Sequence, residues 1–516
     1  MKRKIFFILI LTILLTSCTD LTTRLYDRIP ADEFPENETQ AALMMIPVFS
    51  PMQQFLDWGG WWFAQEITAD AVTCPTRDQD WYDGGKWIAL HRHEWSEENN
   101  DIEAINSMWY WFNKGVFEAN KLIEFVQPAA ENGNEQALIT MAKVKTMRSF
   151  YYWLLIDNYG DVPFITSFSQ APANPVRNHR YQIWQKIVAD IEESLNYLSE
   201  TGSKYSVTKG MAYALLAKLY LNAPVYLQGN MEQSETFYYQ KVVDYCDSLI
   251  NLGIYDLETD PLAPFITNNE TSIENIFTIG YDENTYKGFN LHMRTLHYEN
   301  EKTFNMPVKP WNGFAAQEDF YNTYSDDDIR KTMFLVGQQY SYTGQSLTDP
   351  GANNAPLVFD PHIPALYMTA ENNTLEEIRM SGARVVKFEV KLGATDNLSN
   401  DFPIFRYADV LLMKAEALLR INGSSDAEAI NLVNQIRQRA GLSDWTTLTL
   451  DSLLAERGRE MFWEATRRQD LIRFGKFGEA WWEKDADTED KSIFPIPKWA
   501  IEANPNLLQT PEDIQE

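Results

Sequence analysis

The sequence is poor in cysteine. Cys18, Cys74 and Cys246 are the three cysteines among 516 residues, and no two of them form a CxxC pair. Three cysteines are too few for a disulfide framework, which excludes the class of small disulfide-stapled scaffolds. Two alternatives stay open for Cys74 and Cys246: a disulfide bond in an oxidising compartment, or two free buried thiols.

Basic residues are scarce relative to acidic ones. The chain has 44 Lys and Arg against 73 Asp and Glu, for a net charge of −29. A field of this sign repels phosphate backbones and anionic lipid surfaces. We therefore expect no nucleic-acid partner, and any attachment to a membrane must have a basis other than a basic patch.

Long hydrophobic runs are absent as well. Ile5–Leu15 is largely apolar over eleven residues, whereas a membrane-spanning helix needs about 20. Because the basic segment Lys2–Lys4 precedes it, this run is typical of a secretory signal peptide. Residues 1–17 are the predicted signal peptide.

The segment after the apolar run is typical of a bacterial lipobox. Leu15-Thr16-Ser17-Cys18 places a bulky aliphatic residue and two small residues before a cysteine. This pattern predicts cleavage before Cys18 and acylation of its thiol, with 18–35 as a polar tether; the alternative is an ordinary secreted protein with a chance cysteine. Three acyl chains at one cysteine would anchor the protein firmly. Cleavage removes three basic residues and takes the net charge to about −32.

Sequence motifs of common enzyme classes are missing. We find no GxSxG, HExxH, P-loop or GxGxxG pattern. His91 and His93 flank Arg92 without the further ligands that a zinc site needs. We therefore predict no metal and no cofactor. The open alternative is a calcium ion at one of two acidic segments, 78–83 or 326–328, although the first misses the EF-hand spacing.

What the sequence does contain is helical periodicity over much of its length. The apolar spacing predicts helices over 101–126, 136–159, 181–198, 209–221, 238–252, 402–421, 426–440 and 451–474. Stop signals support their ends at Gly160, Asn422-Gly423 and Gly441, and Ser425 or Asp426 is placed to cap a helix. Antiparallel pairs with small residues between them indicate tetratricopeptide-like units. Helical repeats are thus expected mainly in 101–252 and 402–475.

Two stretches differ from this helical pattern. Residues 256–400 are rich in Asn, Gly, Pro and Thr, with short β-like runs at 276–279 and 385–388. A second turn-rich stretch, 58–100, splits the N-terminal helices. Since loops on a rigid scaffold usually carry binding residues, we expect the ligand region in these stretches.

Several segments carry a family resemblance when taken together and in order. They are Asn158-Tyr159-Gly160-Asp161-Val162-Pro163, 405–417 (FRYADVLLMKAEA), 431–442 (NLVNQIRQRAGL), 456–464 (ERGREMFWE) with 467–473 (RRQDLIR), Phe494-Pro495-Ile496-Pro497 and Asn504-Pro505-Asn506-Leu507. With the lipobox, this ordered set resembles the SusD/RagB family over most of the chain.

The resemblance implies a mainly α-helical fold, with about four tetratricopeptide-like helix pairs packed on an irregular loop-rich region with small β elements. It implies one body over 36–516, anchored by lipid at the outer face of the outer membrane. A TonB-dependent SusC-like transporter is the implied partner, and an oligosaccharide or a peptide is the implied ligand. No catalytic activity is expected. The Arg-rich C-terminal motifs, set among acidic residues, are interpreted as scaffold that also has room for part of the transporter interface.

Candidate ligand residues follow from the chemistry of sugars. A pyranose ring offers a C–H face to aromatic rings and hydroxyls to polar planar groups. Eight of the 16 Trp lie between Trp58 and Trp111. The candidates, which the resemblance also favours in the first loop and at Trp311, are Arg77, Asp80, Trp81, Tyr82, Trp87, Trp311, Asn312, Tyr281 and Tyr286. By contrast, helical spacing favours core positions for Trp109, Trp111, Trp153, Trp184 and Trp463.

Three functions therefore compete. The first is a non-catalytic binding lipoprotein that captures oligosaccharides, or peptides in a RagB-like variant, for import. The second is a surface glycosidase that uses two carboxylates, for example Glu66 and Asp70 at helical spacing. The third is a helical-repeat scaffold that binds only proteins.

Overall fold

The computed structural model describes residues 34–57, 60–96 and 102–508. The predicted signal peptide 1–17, the lipidation residue Cys18 and the predicted tether up to residue 33 lie outside the described residues. Within them, no helix combines the length and the apolar character that a membrane crossing requires.

The fold is mainly α-helical, as the sequence predicted. The helices are α1 (Glu38–Phe49), α2 (Trp61–Ile67), α3 (Lys86–His91), α4 (Glu103–Glu131), α5 (Glu135–Tyr159), α6 (Arg180–Ser194), α7 (Lys209–Leu221), α8 (Ala223–Tyr226), α9 (Glu235–Ile250), α10 (Leu291–Thr295), α11 (Glu318–Tyr321), α12 (Leu375–Met380), α13 (Tyr407–Asn422), α14 (Ala427–Arg439), α15 (Leu450–Met461), α16 (Arg467–Arg473) and α17 (Lys498–Ala503). Short 3-10 helices are Ser50–Leu56, Asp83–Gly85, Ala263–Phe265, Asn269–Thr271, Tyr298–Glu301, Ile329–Met333, Pro350–Ala352 and Pro505–Leu508.

The strands are short and form two-stranded ribbons. They are β1 (Val72–Thr73), β2 (Thr76–Arg77), β3 (Asn275–Ile279), β4 (Ala315–Ala316), β5 (Phe334–Leu335), β6 (Gly337–Gln338), β7 (Thr348–Asp349), β8 (Ala355–Pro356), β9 (Val358–Phe359), β10 (Tyr367–Met368), β11 (Arg384–Val385) and β12 (Phe402–Arg406). β2 pairs with β10 in parallel, and β1–β4, β3–β12, β5–β11, β6–β9 and β7–β8 are antiparallel. Most of these strands, β3 to β11, lie in the predicted loop-rich region 256–400.

The long helices pack in sequence order, α4 on α5, α5 on α6, α7 on α9 and α13 on α14. Their ends follow the capping rules: Asn134 accepts from the Ala137 N–H at 3.0 Å, and Asp426 accepts from the Ala429 N–H at 2.7 Å. α5 ends at Gly160, whose φ of 68° a glycine adopts without strain. One buried apolar cluster extends from Met45 to Leu507.

Several predicted helix boundaries were wrong: α4 continues to Glu131 and α6 ends at Ser194, and two further stretches that were predicted as helix have another conformation. The predicted helix 402–421 begins at Tyr407 because 402–406 forms β12 against β3, with Pro403 paired to Thr278. The predicted helix 451–474 is split at 462–466. There Trp463 and Ala465 have φ values of 70° and 59°. The Trp463 carbonyl accepts from the Trp62 indole N–H at 3.2 Å, so tertiary contacts outweigh helix propensity.

The Arg-rich C-terminal motifs form buried ion pairs, as the scaffold interpretation predicted. Arg406 donates to Glu460 and Glu464 at 2.7 Å each, and Arg473 donates to both oxygens of Glu416 at 2.8 Å. These side chains are almost completely buried. Buried Arg–carboxylate pairs fix the orientation of the helices that carry them.

Cys74 and Cys246 are both buried and unpaired. Of the two alternatives that the sequence left open, the structure shows the free thiols. Burial raises the pKa of each thiol, which disfavours the thiolate and makes both side chains unreactive.

Candidate functional site

Two distant loops meet at the surface around Trp81. One is the turn-rich segment between β2 and α3, in which Trp81 has a φ of 63°. The other contains Trp311 and Gly313. The Trp81 indole N–H donates to the Trp311 carbonyl oxygen at 2.7 Å, and its ring lies 5.3 Å from that of Phe314. These contacts hold Trp81 in a backbone conformation that a bulky residue rarely adopts.

Arg77 and Asn312 support the junction of the two loops from the protein interior. Arg77 is buried and donates to the carbonyl oxygens of Ile378 at 2.8 Å and Ser381 at 3.0 Å. Burial lowers the pKa of Arg77 to about 10, so it stays charged at neutral pH. Asn312 is also buried, donating to the Arg379 carbonyl and accepting from the Arg384 guanidinium. Both predicted ligand residues therefore support the loops and do not face solvent.

Trp87 and Tyr281 are supporting residues as well. Trp87 is buried at the start of α3, where its indole N–H donates to Asp83 at 2.8 Å. The Tyr281 hydroxyl donates to the Gln53 carbonyl at 3.2 Å. In this conformation neither ring has a face open to a ligand. Tyr286 is 37% exposed, in a turn closed by its pairing with Asp282.

An exposed aromatic pair lies beside the junction. Tyr82 is 48% exposed and Tyr367 is 50% exposed, with ring centroids 5.8 Å apart and an interplanar angle of 74°. The β2–β10 pairing brings them together, since Thr76 aligns with Tyr367. Two half-exposed rings at this angle offer apolar faces to a ligand that has both C–H and hydroxyl surfaces.

Asp80, two residues before Tyr82, connects this pair to a set of polar groups. The Tyr298 hydroxyl donates to the Asp80 carboxylate, and the Arg379 guanidinium carbon lies 4.8 Å from the Tyr298 ring centroid. Burial and the Asp80 carboxylate together raise the pKa of Tyr298, so its hydroxyl stays a donor. We call the surface formed by Asp80, Tyr82, Tyr298, Tyr367 and Arg379 the aromatic platform. Trp311, partly buried, borders it through its bond to Trp81.

Asp349 fixes the orientation of Arg379. Its two oxygens accept from Arg379 Nε at 2.5 Å and Nη2 at 2.9 Å. His297 Nε2 is 3.1 Å from Asp349 Oδ2, and burial lowers the pKa of His297 to about 4. Burial would raise the pKa of Asp349, but the bonds from His297 and Arg379 outweigh it and lower that pKa. The arginine is thereby held in one geometry over Tyr298.

Of the sequence candidates, the structure brings Asp80, Tyr82, Trp81 and Trp311 together. Tyr298, Tyr367 and Arg379 were missed. Tyr298 precedes Trp311 by 13 residues in the loop-rich region, which was a usable signal. The approach of Arg379 to Tyr298 and that of Tyr367 to Tyr82 had no such signal, because they depend on tertiary pairing.

Metal-binding geometry is not found among residues 34–57, 60–96 and 102–508, where no three His, Cys, Asp or Glu side chains are close enough to hold an ion. In the acidic segment 78–83, Asp80 accepts from Tyr298 and Asp83 from Trp87. In the segment 326–328, Asp328 accepts from Arg330 at 2.8 Å.

Comparison with known proteins assigns the family. Residues 273–492 match the model described as "SusD family", and residues 37–221 match the one described as "Starch-binding associating with outer membrane". The chain belongs to the SusD/RagB family. The two matched regions together contain the platform residues of this SusD-family chain and its long helices except α9.

Similar proteins and structures extend over most of the chain. The starch-binding protein SusD of Bacteroides thetaiotaomicron is 23% identical over 80% of this chain and 81% of its own length. A SusD-like protein of Bacteroides ovatus is 25% identical over 73% of this chain and 66% of its own length.

A solved laminarin-binding SusD-like protein has a TM-score of 0.72 at 20% identity, covering 92% of this chain and 99% of that one. Surface glycan-binding protein A of Bacteroides thetaiotaomicron, solved with laminarihexaose, has a TM-score of 0.69 at 21% identity over 90% and 97% of the two chains. These likenesses show that the fold is shared.

Proposed function

We propose that this protein is a surface glycan-binding protein that captures oligosaccharides on the aromatic platform. The observation that carries the proposal is the exposed Tyr82–Tyr367 pair next to the Asp80–Tyr298 and Arg379 polar groups. The names of the relatives support the ligand class, since starch-binding and laminarin-binding proteins are among them. A peptide ligand, as in a RagB-like variant, is the alternative.

The platform fits the two surfaces of a sugar ring. The tyrosine faces match the C–H patch of a pyranose, while the Asp80 carboxylate and the Arg379 guanidinium match its hydroxyls. Both polar groups are already held by partners within the protein. Little side-chain entropy is then lost on binding, and preorganisation of this kind favours affinity.

A binding role fits the carboxylates better than a hydrolytic one. A glycosidase needs two carboxyl groups that flank the scissile bond. The pair that the sequence offered, Glu66 and Asp70, does not form such a site. Glu66 is 1% exposed, and Asp70 is bound by Arg467 Nε and Nη2 at 2.7 Å each. We therefore propose that the protein is not an enzyme.

The proposal also includes anchoring to the outer membrane and delivery of the ligand to a transporter. Acylation at Cys18 would tether the protein to the outer membrane, and delivery would be to a TonB-dependent SusC-like transporter. The matched family description, which names association with the outer membrane, supports this location. Mass spectrometry of the mature N-terminus and co-purification with the transporter from its native membrane test these two parts.

The binding test uses the full chain, purified in detergent, on native gels that contain laminarin or soluble starch, and on a glycan array. The double variant Tyr82→Ala/Tyr367→Ala should lose at least about tenfold in affinity, or about 1.4 kcal/mol. The matched control is Tyr197→Ala/Phe237→Ala, which truncates two rings that are 45% and 41% exposed, one in the turn after α6 and one on α9. Equal binding by all three proteins, or release of reducing sugar by the purified protein, would overturn the proposal.

A further inference from the structure

A second aromatic groove lies between the first half of α4 and α17. Its lining residues are Glu103, Asn106, Ser107, Tyr110, Trp111 and Trp499, and its volume is about 380 Å³. Tyr110 is 50% exposed and Trp499 is 45% exposed. The volume lies in the range of small-molecule sites, about 300–1,000 Å³. None of these residues belongs to the aromatic platform.

The core does not need these aromatic rings. α4 is amphipathic, and its buried face is formed by Ala104, Ile105, Met108, Trp109 and Phe112. Tyr110 lies on the opposite face, in line with Asn106 and Ser107 at spacings of four and three residues. Tyr110 is half-exposed on the solvent face of the helix and therefore makes little contribution to packing, which leaves its ring available to a ligand.

The three aromatic side chains meet the polar groups in one concavity. The rings of Tyr110 and Trp111 have centroids 4.9 Å apart and an interplanar angle of 85°, so they form two walls at a right angle. Trp499 reaches the same groove from α17, nearly 400 residues away in the chain. A carboxylate, an amide and a hydroxyl lie along α4 between them.

We propose that this groove is a second carbohydrate-binding site that takes a segment of a neutral glycan chain. It goes beyond the proposed function and rests on different residues. Rings for C–H faces and Glu103, Asn106 and Ser107 for hydroxyls are the groups that a sugar requires. Glu103 is paired with Lys86 at 2.8 Å, so the groove carries no net charge of its own, and the strongly negative chain as a whole disfavours uronic or sulfated sugars over neutral ones.

The polarity of the groove favours a sugar over a protein partner. Protein hot spots form in fully desolvated, well-packed pockets. A groove farther along α4 is the more apolar of the two, since Val116, Phe117, Ile165 and Phe168 are among its lining residues. The groove at Trp499 has polar groups for half of its lining instead.

The groove and the platform are linked through a short stretch of chain. Lys86 Nζ lies 2.8 Å from Glu103 Oε2, and Lys86 follows Tyr82 by four residues. The Cα atoms of Tyr82 and Lys86 are therefore at most about 14 Å apart. A polysaccharide that occupies both sites would bind with a higher avidity than either site provides alone.

The experiment compares five full-length proteins in detergent on an array of neutral and anionic glycans, then by calorimetry with the best neutral hit as a short oligosaccharide and as a polymer. They are the wild type, the groove variant Tyr110→Ala/Trp499→Ala, the platform variant Tyr82→Ala/Tyr367→Ala, the variant that combines these four changes, and the control Tyr197→Ala/Phe237→Ala. Thermal melts check that every variant is folded.

We expect the groove variant to lose at least about fivefold in affinity for the polymer, and the platform variant to keep a weaker binding that disappears when both pairs are replaced. If the groove variant binds every glycan as the control does while the platform variant loses binding, the second site is overturned and the proposed function stands. If no protein binds any glycan, both are overturned. Co-purification of each variant with the transporter is measured in parallel, and loss of this capture with unchanged glycan binding in the groove variant would overturn the second site and assign the groove to a protein partner.

Discussion

The indole N–H of Trp81 donates a 2.7 Å hydrogen bond to the backbone carbonyl of Trp311, which joins two loops 230 residues apart. Both residues were ligand candidates from the sequence. Trp81 is 9% exposed, so its main role in this geometry is to position the loop that carries Asp80 and Tyr82. The platform therefore depends on a contact that does not itself face the ligand.

Gly313 is the residue that permits this contact. A Cβ atom at this position would lie 2.4 Å from the Trp81 ring. We expect Gly313→Ala to lower the free energy of unfolding by about 1–3 kcal/mol, the usual cost of overpacking, and to weaken glycan binding because the Trp81 loop must move. Thermal melts and glycan gels measure the two effects.

The control for Gly313→Ala is Gly478→Ala. A Cβ atom at Gly478 would be 3.7 Å from Asp487, which is an ordinary van der Waals contact. Its melting temperature should stay near that of the wild type. Identical melts and identical glycan binding for the two variants would show that the Trp81 packing does not support the platform.

Tyr298→Phe tests the polar border of the platform. The change removes the hydroxyl that donates to Asp80 and keeps the ring beneath Arg379. We expect glycan affinity to fall by about two- to tenfold, the value of one hydrogen bond, because the Asp80 carboxylate loses its orientation. Calorimetry with the best array ligand measures this loss.

The control for Tyr298→Phe is Tyr205→Phe. The Tyr205 hydroxyl also donates to a carboxylate, that of Asp401 at 2.7 Å, but neither residue belongs to the platform. This variant should bind glycan as the wild type does. A loss of equal size in both variants would mean that the effect is general and that the Asp80–Tyr298 bond does not shape the site.

The sequence predicted the helices better than the site. The boundaries of α5 and α7 agree with the prediction to within one residue, although residues 146–159 of α5 and nearly all of α7 are buried and neither helix has a solvent face there. Residues 402–406 and 462–466 were predicted wrongly because β3 and Trp62 determine their conformation. Arg77 and Trp87 are polar or aromatic residues in a turn-rich loop, a pattern that does not distinguish supporting residues from exposed ones.

Glu460 is expected to be critical for stability. It accepts from Arg406 at 2.7 Å and from Arg330 at 3.0 Å, and it is 2% exposed. Burial would raise the pKa of Glu460, but the charges of Arg439, Arg406 and Arg330 lower it well below its ordinary value. Glu460→Gln leaves those arginines with less compensating charge. We expect a loss of about 3–5 kcal/mol in unfolding free energy.

The comparison for Glu460→Gln is Glu479→Gln. Glu479 pairs with Lys476 at 3.0 Å on the surface, where both side chains are well exposed. Exposed pairs contribute about 0–1 kcal/mol, so this variant should melt close to the wild type. Denaturant titrations of both variants measure the difference. A cost for Glu460→Gln as small as that of Glu479→Gln would contradict the scaffold role.

Glu66 should make stability depend on pH in the neutral range. Its Oε1 accepts from the Ala465 N–H at 2.6 Å inside the buried helix α2. Burial raises the pKa of Glu66 from its ordinary 4.5 to about 8 against the opposing effect of that bond and of Lys387. Between pH 4.5 and about pH 8, Glu66 therefore keeps its proton in the folded state, whereas it has lost that proton in the unfolded state. Stability from this group is complete below pH 4.5 and is lost as pH rises through 8.

Glu66→Gln removes this titration and keeps the shape of the side chain. Between pH 5 and pH 8 the wild type should lose up to about 1.4 kcal/mol per pH unit relative to the variant. The variant should therefore be the more stable protein above pH 8, although it has no such advantage at pH 5. Glu200→Gln, in an exposed pair with Lys209, is the control and should track the wild type. Parallel melting curves of wild type and Glu66→Gln from pH 5 to 9 would show that Glu66 is already ionised in the folded protein, with its charge compensated by Lys387 and Arg467.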